Sequence, residues 1–172
     1  MSQPVYRTSI PICPYCKRFL YKDYGYSDSK VLVVLYKPFW RQDDSELDIV
    51  ITNLLFPELE RAGFGKHEIR ITSLWKHSIK LEYYKEPNHF EWHLLETIKR
   101  INSHDKVVFF GRELPKIFIG DHITDAASIF GMPMSNTKYF RDKTLLFGPS
   151  LEETITTSIG EFRDVVEQLR AA

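Results

Sequence analysis

The stretch Lys30-Val31-Leu32-Val33-Val34-Leu35 decides the fold class of this chain. It is apolar without alternation and rich in β-branched residues, which is typical of a strand that is buried on both faces. Pro38 follows closely and cannot continue a central strand, so a loop begins at Tyr36. We therefore predict a parallel sheet that contains this strand, with functional residues in the loop after it.

Three further strand patterns alternate with helical patterns along the chain. We predict strands at 67–75, 106–110 and 143–147, and helices at 47–62, 90–101, 113–118 and 151–170. This alternation implies right-handed βαβ crossovers. We expect one α/β domain over 1–172, a three-layer αβα sandwich with a central, mostly parallel four-stranded sheet, preceded by an irregular segment at 1–29.

Composition and charge limit the possible partners and compartments. The 172 residues include 23 basic and 23 acidic side chains, so net charge gives no general attraction to nucleic acid, although a local basic groove remains compatible. No stretch reaches the ~20 apolar residues that span a bilayer, and the first residues lack a signal-peptide pattern. We expect a cytoplasmic protein, or a nuclear one in a eukaryote, with no membrane partner.

Several motifs follow one another in a recognisable order. They are Cys13-Pro14-Tyr15-Cys16, the first strand with its loop at Pro38, a helix ending at Gly63, Ile71-Thr72-Ser73, a strand ending at Gly111, and Gly148-Pro149-Ser150. This order resembles the uracil-DNA glycosylase superfamily, most closely its branch with an N-terminal cysteine pair. The resemblance implies a DNA glycosylase that flips a uracil-like or modified base out of DNA, with replication or repair proteins as further partners.

The sequence departs from that family at its chemical positions. Tyr36 and Lys37 stand where the family usually carries an acidic or amide residue, Ser73 replaces its base-recognising asparagine, and Gly148 replaces its histidine. The four-cysteine iron–sulfur set of the nearest branch cannot form from two cysteines. These departures favour either excision of a base other than plain uracil or a catalytically inactive relative that binds DNA or a partner in a replication or repair assembly.

Lys37, Tyr36 and Ser73 are the catalytic candidates. A neutral lysine amine can attack a sugar carbon as a nucleophile, whereas a charged Lys37 would only hold a phosphate. The candidates for base or DNA binding are Pro38, Phe39, Trp40, Lys76, His77, Gly148, Pro149 and Ser150. The rings of this set either stack on a flipped base or pack in the core, and Ser150 either caps the last helix or contacts phosphate there.

A further basic and aromatic pattern follows the second strand. Lys76, Lys80 and Lys85 alternate with Trp75, Tyr83 and Tyr84. Such interleaving suits a single strand or a flipped base, and it equally suits a solvated loop.

The sequence predicts no cofactor, although the cysteine pair allows two kinds of chemistry. Cys13 and Cys16, with His89 and His93 four residues apart on a predicted helix, have the residue types of a zinc site. The same cysteines also match the glutaredoxin-type redox motif, which would make the protein a thiol–disulfide oxidoreductase. That redox fold requires a strand before its cysteine motif, and no predicted strand precedes Cys13.

Overall fold

Four parallel strands form the central sheet. The computed structural model describes residues 12–41, 46–79, 86–156 and 159–172. Its strands are β1 (Val31–Leu35), β2 (Trp40–Arg41), β3 (Glu46–Leu47), β4 (Ile69–Ser73), β5 (Lys106–Phe110) and β6 (Leu145–Gly148). The sheet has the order β4-β1-β5-β6, and β2 pairs with β3 as a separate antiparallel hairpin. The prediction of a four-stranded parallel sheet is confirmed.

The strand β1 lies inside this sheet and is buried along its whole length. Val33 is in register with Ile71 of β4 on one side and with Val108 of β5 on the other. Successive side chains point to opposite faces, so Val33 joins one hydrophobic core and Val34 joins the other. An alternating pattern is absent from the sequence because both faces of the strand are covered.

Helices cover the two faces of the sheet. They are α1 (Phe56–Arg61), α2 (Pro87–Asn102), α3 (Leu114–Phe118), α4 (Leu151–Thr156) and α5 (Gly160–Ala171). Leu59 of α1 and Phe162 of α5 share a core with Val33. Leu94 of α2 and Phe118 of α3 lie in the opposite core. The arrangement is the three-layer αβα sandwich that the sequence predicts.

Two helices differ in extent from the sequence prediction. The helix predicted at 47–62 begins later, because Leu47 lies in β3 and a π-helical turn at Ile51–Leu55 precedes α1. Pro57 has no N–H to donate within the α-helical pattern, and the Phe56 N–H bonds to the Ile51 carbonyl five residues earlier. The last predicted helix is divided into α4 and α5. The cap candidates at 43–45 lie outside the described residues.

Part of the irregular N-terminal segment covers the edge of β4. Tyr24 and Ile71 exchange two backbone hydrogen bonds of 2.9 Å in an antiparallel bridge. Gly25 follows at φ +89°, and a Cβ there would lie 2.3 Å from the Ile69 carbonyl oxygen. Only glycine allows the chain to approach β4 this closely. The segment thereby satisfies an edge that would otherwise expose unpaired backbone groups.

Gly148 ends β6 at a position with no room for a side chain. A Cβ there would lie 3.0 Å from two carbons of the Phe110 ring and 3.1 Å from a methyl of Val165. This is the residue that replaces the histidine of the glycosylase resemblance. The close packing of β5 and α5 therefore gives a steric reason for glycine at this position.

We expect Gly148→Ala to lower the free energy of unfolding by about 1–3 kcal/mol, because the added methyl forces Phe110 and Val165 apart. Denaturant titration measures this change. Gly65→Ala is the matched control, since the only close contact of its Cβ would be with the ring of the exposed His67, which can rotate away, and Glu68 Oε1 would lie at an ordinary contact distance of 3.8 Å. Equal losses in the two variants would contradict the packing argument.

Candidate functional site

The loops after β1, β5 and β6 converge on one cleft of about 420 Å³. Tyr36, Lys37, Pro38 and Phe39 line it from the first loop, and Ser150 lines it from the last. Parallel strands end at the same edge of a sheet, which is where ligands bind in such folds. The structure therefore brings together five of the residues that the sequence singles out.

The aromatic residues after β1 have three different surroundings. Phe39 is buried in a hydrophobic core while also contributing to the cleft wall. Trp40 lies in β2, and its Nε1–H donates to the Lys22 carbonyl at 2.7 Å. Tyr36 is half-buried beside Lys37, which is exposed. Of these three residues, Tyr36 and Phe39 line the cleft together with Phe110 of β5, whereas Trp40 anchors the loop.

Ser150 caps α4, as the sequence predicts. The backbone N–H of Glu153 donates to Ser150 Oγ at 3.1 Å. Glu152 and Glu153 in the first turn interact favourably with the helix dipole. Pro149 is buried behind this turn. Because the Ser150 hydroxyl already accepts the cap hydrogen bond, its first role is to fix the start of α4 at the rim of the cleft.

Charged residues that the sequence reasoning missed also line the cleft. Asp48, Glu113, Glu152 and Glu153 contribute carboxylates, and Arg112 adds a cation to that of Lys37, which the sequence did single out. Arg112 Nε lies 2.6 Å from Glu153 Oε1 in an exposed ion pair. Arg112 and Glu113 directly follow Gly111 at the end of β5, so strand ends were the signal that could have identified them. The cleft carries more carboxylates than cations, which disfavours a phosphate inside it.

Ser73, Lys76 and His77 lie away from the cleft and are buried. Ser73 Oγ donates to the Trp75 carbonyl at 2.7 Å, and Lys76 Nζ donates to Ser73 O and Thr97 Oγ1. After β4 the chain continues along the end of β1, where the Trp75 N–H donates to the Tyr36 carbonyl at 3.1 Å. The structure therefore does not bring these three residues, predicted to act on a base or to bind DNA, together with the residues of the cleft. Lys80, Tyr83, Tyr84 and Lys85 lie outside the described residues.

Cys13, His77, His89 and His93 form a buried cluster that could hold a metal ion. One ligand atom from each lies within 4.8 Å of all the others. Cys13 Sγ is 3.3 Å from His89 Nε2 and 3.8 Å from His93 Nε2. His77 Nε2 is 3.1 Å from His89 Nε2 and 3.0 Å from His93 Nε2. The four ligand atoms therefore face a common point.

Three separate elements supply this cluster. Cys13 belongs to a tight turn in which its N–H donates to the Arg18 carbonyl at 2.8 Å. His89 and His93 lie one turn apart on α2, and His77 follows β4. The sequence prediction placed Cys13, His89 and His93 together but assigned His77 to DNA. Cys16, also predicted as a ligand, has its Sγ 3.4 Å from His77 Nε2 and lies outside the group of four.

The protonation states of the cluster suit metal binding. Burial lowers the pKa of His93 to about 2, and the nearby charge of Lys76 adds to this effect. Burial also lowers the pKa of His77 and of His89. All three imidazoles are therefore neutral at pH 7, as metal ligands must be. His77 Nδ1 lies 3.0 Å from the Ser78 carbonyl, which orients Nε2 towards the cluster.

The environment of Cys13 differs from that of a redox cysteine. Its side chain is fully buried, and burial raises the pKa of its thiol. A reactive cysteine needs a lowered pKa and solvent access, often at the start of a helix. The residues after Cys13 form turns rather than a helix. Metal binding does not require a lowered pKa of the free Cys13 thiol, because the metal ion itself displaces the thiol proton.

A buried ion network around Asp23 lies beside the metal-ligand cluster. Asp23 Oδ2 accepts from Arg70 Nη2 at 3.0 Å and from Arg100 Nε at 2.7 Å, while Oδ1 accepts from Thr72 at 2.8 Å. Burial by itself raises the pKa of Asp23, but the charges of Arg100, Lys76 and Arg70 outweigh it and the net pKa is lowered. One carboxylate therefore joins the N-terminal segment, β4 and α2.

No family model matches this chain, and no curated protein matches it significantly. In the described part of the chain, no helix combines the length and the apolar character that crossing a membrane would require.

We expect Asp23→Asn to lower the free energy of unfolding by about 3–5 kcal/mol, because it leaves buried cations without their counter-charge. The folded-state pKa of Asp23 lies below its ordinary value of 3.8, so its stabilisation is present at neutral pH and is lost as the pH falls below that value. Asp23→Asn should therefore show a shallower loss of stability in acid. Exposed Asp28→Asn is the control, and an equal change in both variants would contradict the network's role.

Proposed function

We propose that this chain is a DNA-binding protein of the uracil-DNA glycosylase fold that receives a flipped nucleobase in the cleft and excises it. The observation that carries the proposal is that Tyr36, Lys37 and Pro38 after β1 line the same cleft as Ser150 after β6. The family resemblance requires these two loops to meet at the carboxyl edge of one sheet. A volume of about 420 Å³ also lies within the usual range of small-molecule sites.

The lining of the cleft supports a neutral base rather than a phosphate as its occupant. Tyr36 and Phe39 supply ring surface on which a base can stack. Asp48 and Glu113 supply carboxylates that can accept hydrogen bonds from a base or activate a water molecule. These residues replace, from other parts of the chain, the acidic group that the family carries near its conserved proline.

In this proposal Lys37 contacts a phosphate and does not act as the nucleophile. Its side chain is exposed at the mouth of the cleft. Covalent attack by a lysine requires a desolvated, neutral amine, and an exposed position does not provide desolvation. Lys37 therefore serves to hold a DNA phosphate outside the cleft while the base occupies it.

The second candidate function is DNA or partner binding without base excision. It is favoured by Gly148, where Phe110 and Val165 leave no space for the histidine of the family. Both candidates use the same cleft, and the release of a free base separates them.

For the buried cluster we propose zinc as the bound metal. Zinc coordinated by three nitrogens and one sulfur in a tetrahedron separates its ligand atoms by about 3.3–3.6 Å. The observed separations run from 3.0 Å between His77 and His93 to 3.8 Å between Cys13 and His93. Four buried protein ligands leave no open coordination position, so the metal is structural and joins the N-terminal turn to β4 and α2.

We expect the purified protein to contain about one zinc ion per chain, measured by elemental analysis. Cys13→Ser and His77→Ala should lose the metal and lower the melting temperature, because each removes one of four ligands. Cys16→Ser and the exposed His122→Ala are the matched controls and should retain it. Metal-free wild-type protein with unchanged thermal stability after chelator treatment would contradict the proposal.

Incubation with single- and double-stranded oligonucleotides that carry uracil, hydroxymethyluracil or other altered bases should release a free base and leave alkali-labile sites. We expect Tyr36→Ala to weaken binding of the preferred oligonucleotide by roughly 5- to 150-fold, because one stacking contact is lost. Tyr139→Ala is the control, since this exposed ring lies outside the cleft.

Release of a free base distinguishes the glycosylase from a protein that only binds DNA. Saturable binding that depends on Tyr36, without any released base, would support the binding protein. Absence of saturable binding to every oligonucleotide of the panel would reject both.

A further inference from the structure

The turn that carries Cys13 presents an aromatic and basic surface, on which Tyr15, Lys17 and Phe19 are exposed and Arg18 is half-buried. We name it the knuckle surface and define it by Tyr15, Lys17, Arg18 and Phe19. Phe19 is 72% exposed and Tyr15 is 46% exposed. Of the nine exposed large apolar side chains in the described part of the chain, four lie between Ile12 and Tyr26. Such a concentration on a soluble surface marks an interaction site.

The charges of this segment are of one sign. Residues 12–22 include three cations, Lys17, Arg18 and Lys22, and no acidic residue. The first acidic residue is Asp23, which is buried in the ion network and does not reach the surface. The segment is therefore locally basic although the whole chain has no net charge. The exposed rings therefore lie in a segment whose own side chains carry only positive charge, while Glu86 lies near His89, on which Tyr15 stacks.

The knuckle surface is held in one conformation by short-range contacts. The Lys17 N–H donates to the Cys13 carbonyl at 2.9 Å, and Lys17 adopts φ +62°. Ile12 and Phe19 form an antiparallel bridge across the turn. The Tyr15 ring stacks on His89, with ring centroids 5.6 Å apart. A preorganised turn loses less conformational entropy when it binds a partner than a mobile one.

We propose that the knuckle surface binds single-stranded nucleic acid. Phe19 and Tyr15 stack on bases, while Lys17 and Arg18 lie close enough in the chain to contact the phosphates on either side. Every base offers a π-face, and this combination of rings with cations is the usual way in which proteins hold single strands without sequence preference. Charge complementarity favours this polyanion over an apolar protein surface.

This inference goes beyond the proposed excision of a base. The knuckle surface shares no residue with the cleft between β1, β5 and β6. It lies on the β4 side of the sheet, where Cys13 contacts α2 and Cys16 contacts His77. Binding there requires neither a flipped base nor a catalytic group.

The test is fluorescence anisotropy of a labelled oligo(dT), with oligo(U) as a second arm, added to the metal-loaded protein at low and moderate salt. Phe19→Ala should weaken binding by roughly 5- to 150-fold. Lys17→Ala should reduce the slope of log affinity against log salt concentration by about 0.7, the value for one phosphate contact to a single strand. The relative affinities of the two arms distinguish DNA from RNA as the preferred strand.

Two control variants separate binding at the knuckle surface from a general effect of exposed apolar side chains and from base binding in the cleft. Met132→Ala removes an equally apolar side chain, 53% exposed, next to β6 at the opposite edge of the sheet, and should leave binding unchanged. Tyr36→Ala should also leave oligo(dT) binding unchanged, because that ring belongs to the cleft. Failure of base excision therefore does not affect this test, and failure of this test does not affect base excision.

Three results would overturn the inference. They are absence of saturable oligonucleotide binding, equal affinity of the wild type and Phe19→Ala, and concentration-dependent self-association that Phe19→Ala abolishes. The last would show that the knuckle surface joins copies of this chain instead. Because Phe19 is exposed, the variant should fold normally, and an unchanged melting temperature checks this.

Discussion

The burial of β1 on both faces is the constraint on which the rest of the structure depends. Val31–Leu35 pairs with β4 and β5, so its backbone groups are satisfied by the sheet while its side chains fill two cores. Helices must then cover both faces, and each crossover must return the chain to the edge at which the strands begin. The cleft exists because the loops after β1, β5 and β6 all leave the sheet at the opposite edge, where the strands end.

The described part of the N-terminal segment, residues 12–29, combines polar contacts with the packing of Tyr24 against this core. It is joined to the sheet by the Tyr24–Ile71 bridge, by Asp23 with two buried arginines, and by Cys13 facing three histidines. Buried charges and neutral imidazoles are stable only when each has its partner. The segment is irregular because these contacts fix individual residues, whereas a helix or strand would satisfy the backbone repeatedly.

The two candidate centres differ in a way that separates their roles. The cluster at Cys13 is buried, and its candidate ligands come from distant parts of the chain, which suits a structural metal. The cleft is open and lined by exposed carboxylates and cations, which suits an exchanging ligand. The exposed rings of the knuckle surface belong to the turn that carries Cys13. A metal ion that fixes this turn would therefore also fix the knuckle surface.

The sequence by itself determined the strand sites, the αβα class and the cap at Ser150, because hydrophobic periodicity and capping are local properties. Apart from His77, it also indicated the residues of the candidate metal-ligand cluster, because cysteine and histidine are the usual zinc ligands. Only the tertiary structure decided that His77 lies beside Cys13, that Lys76 is buried, and that Trp40 lies outside the cleft. These outcomes depend on where the chain turns after β4 and β1, which is set by long-range packing. The carboxylates Asp48 and Glu113 meet in the cleft for the same reason, since loops distant in sequence converge only after the sheet has formed.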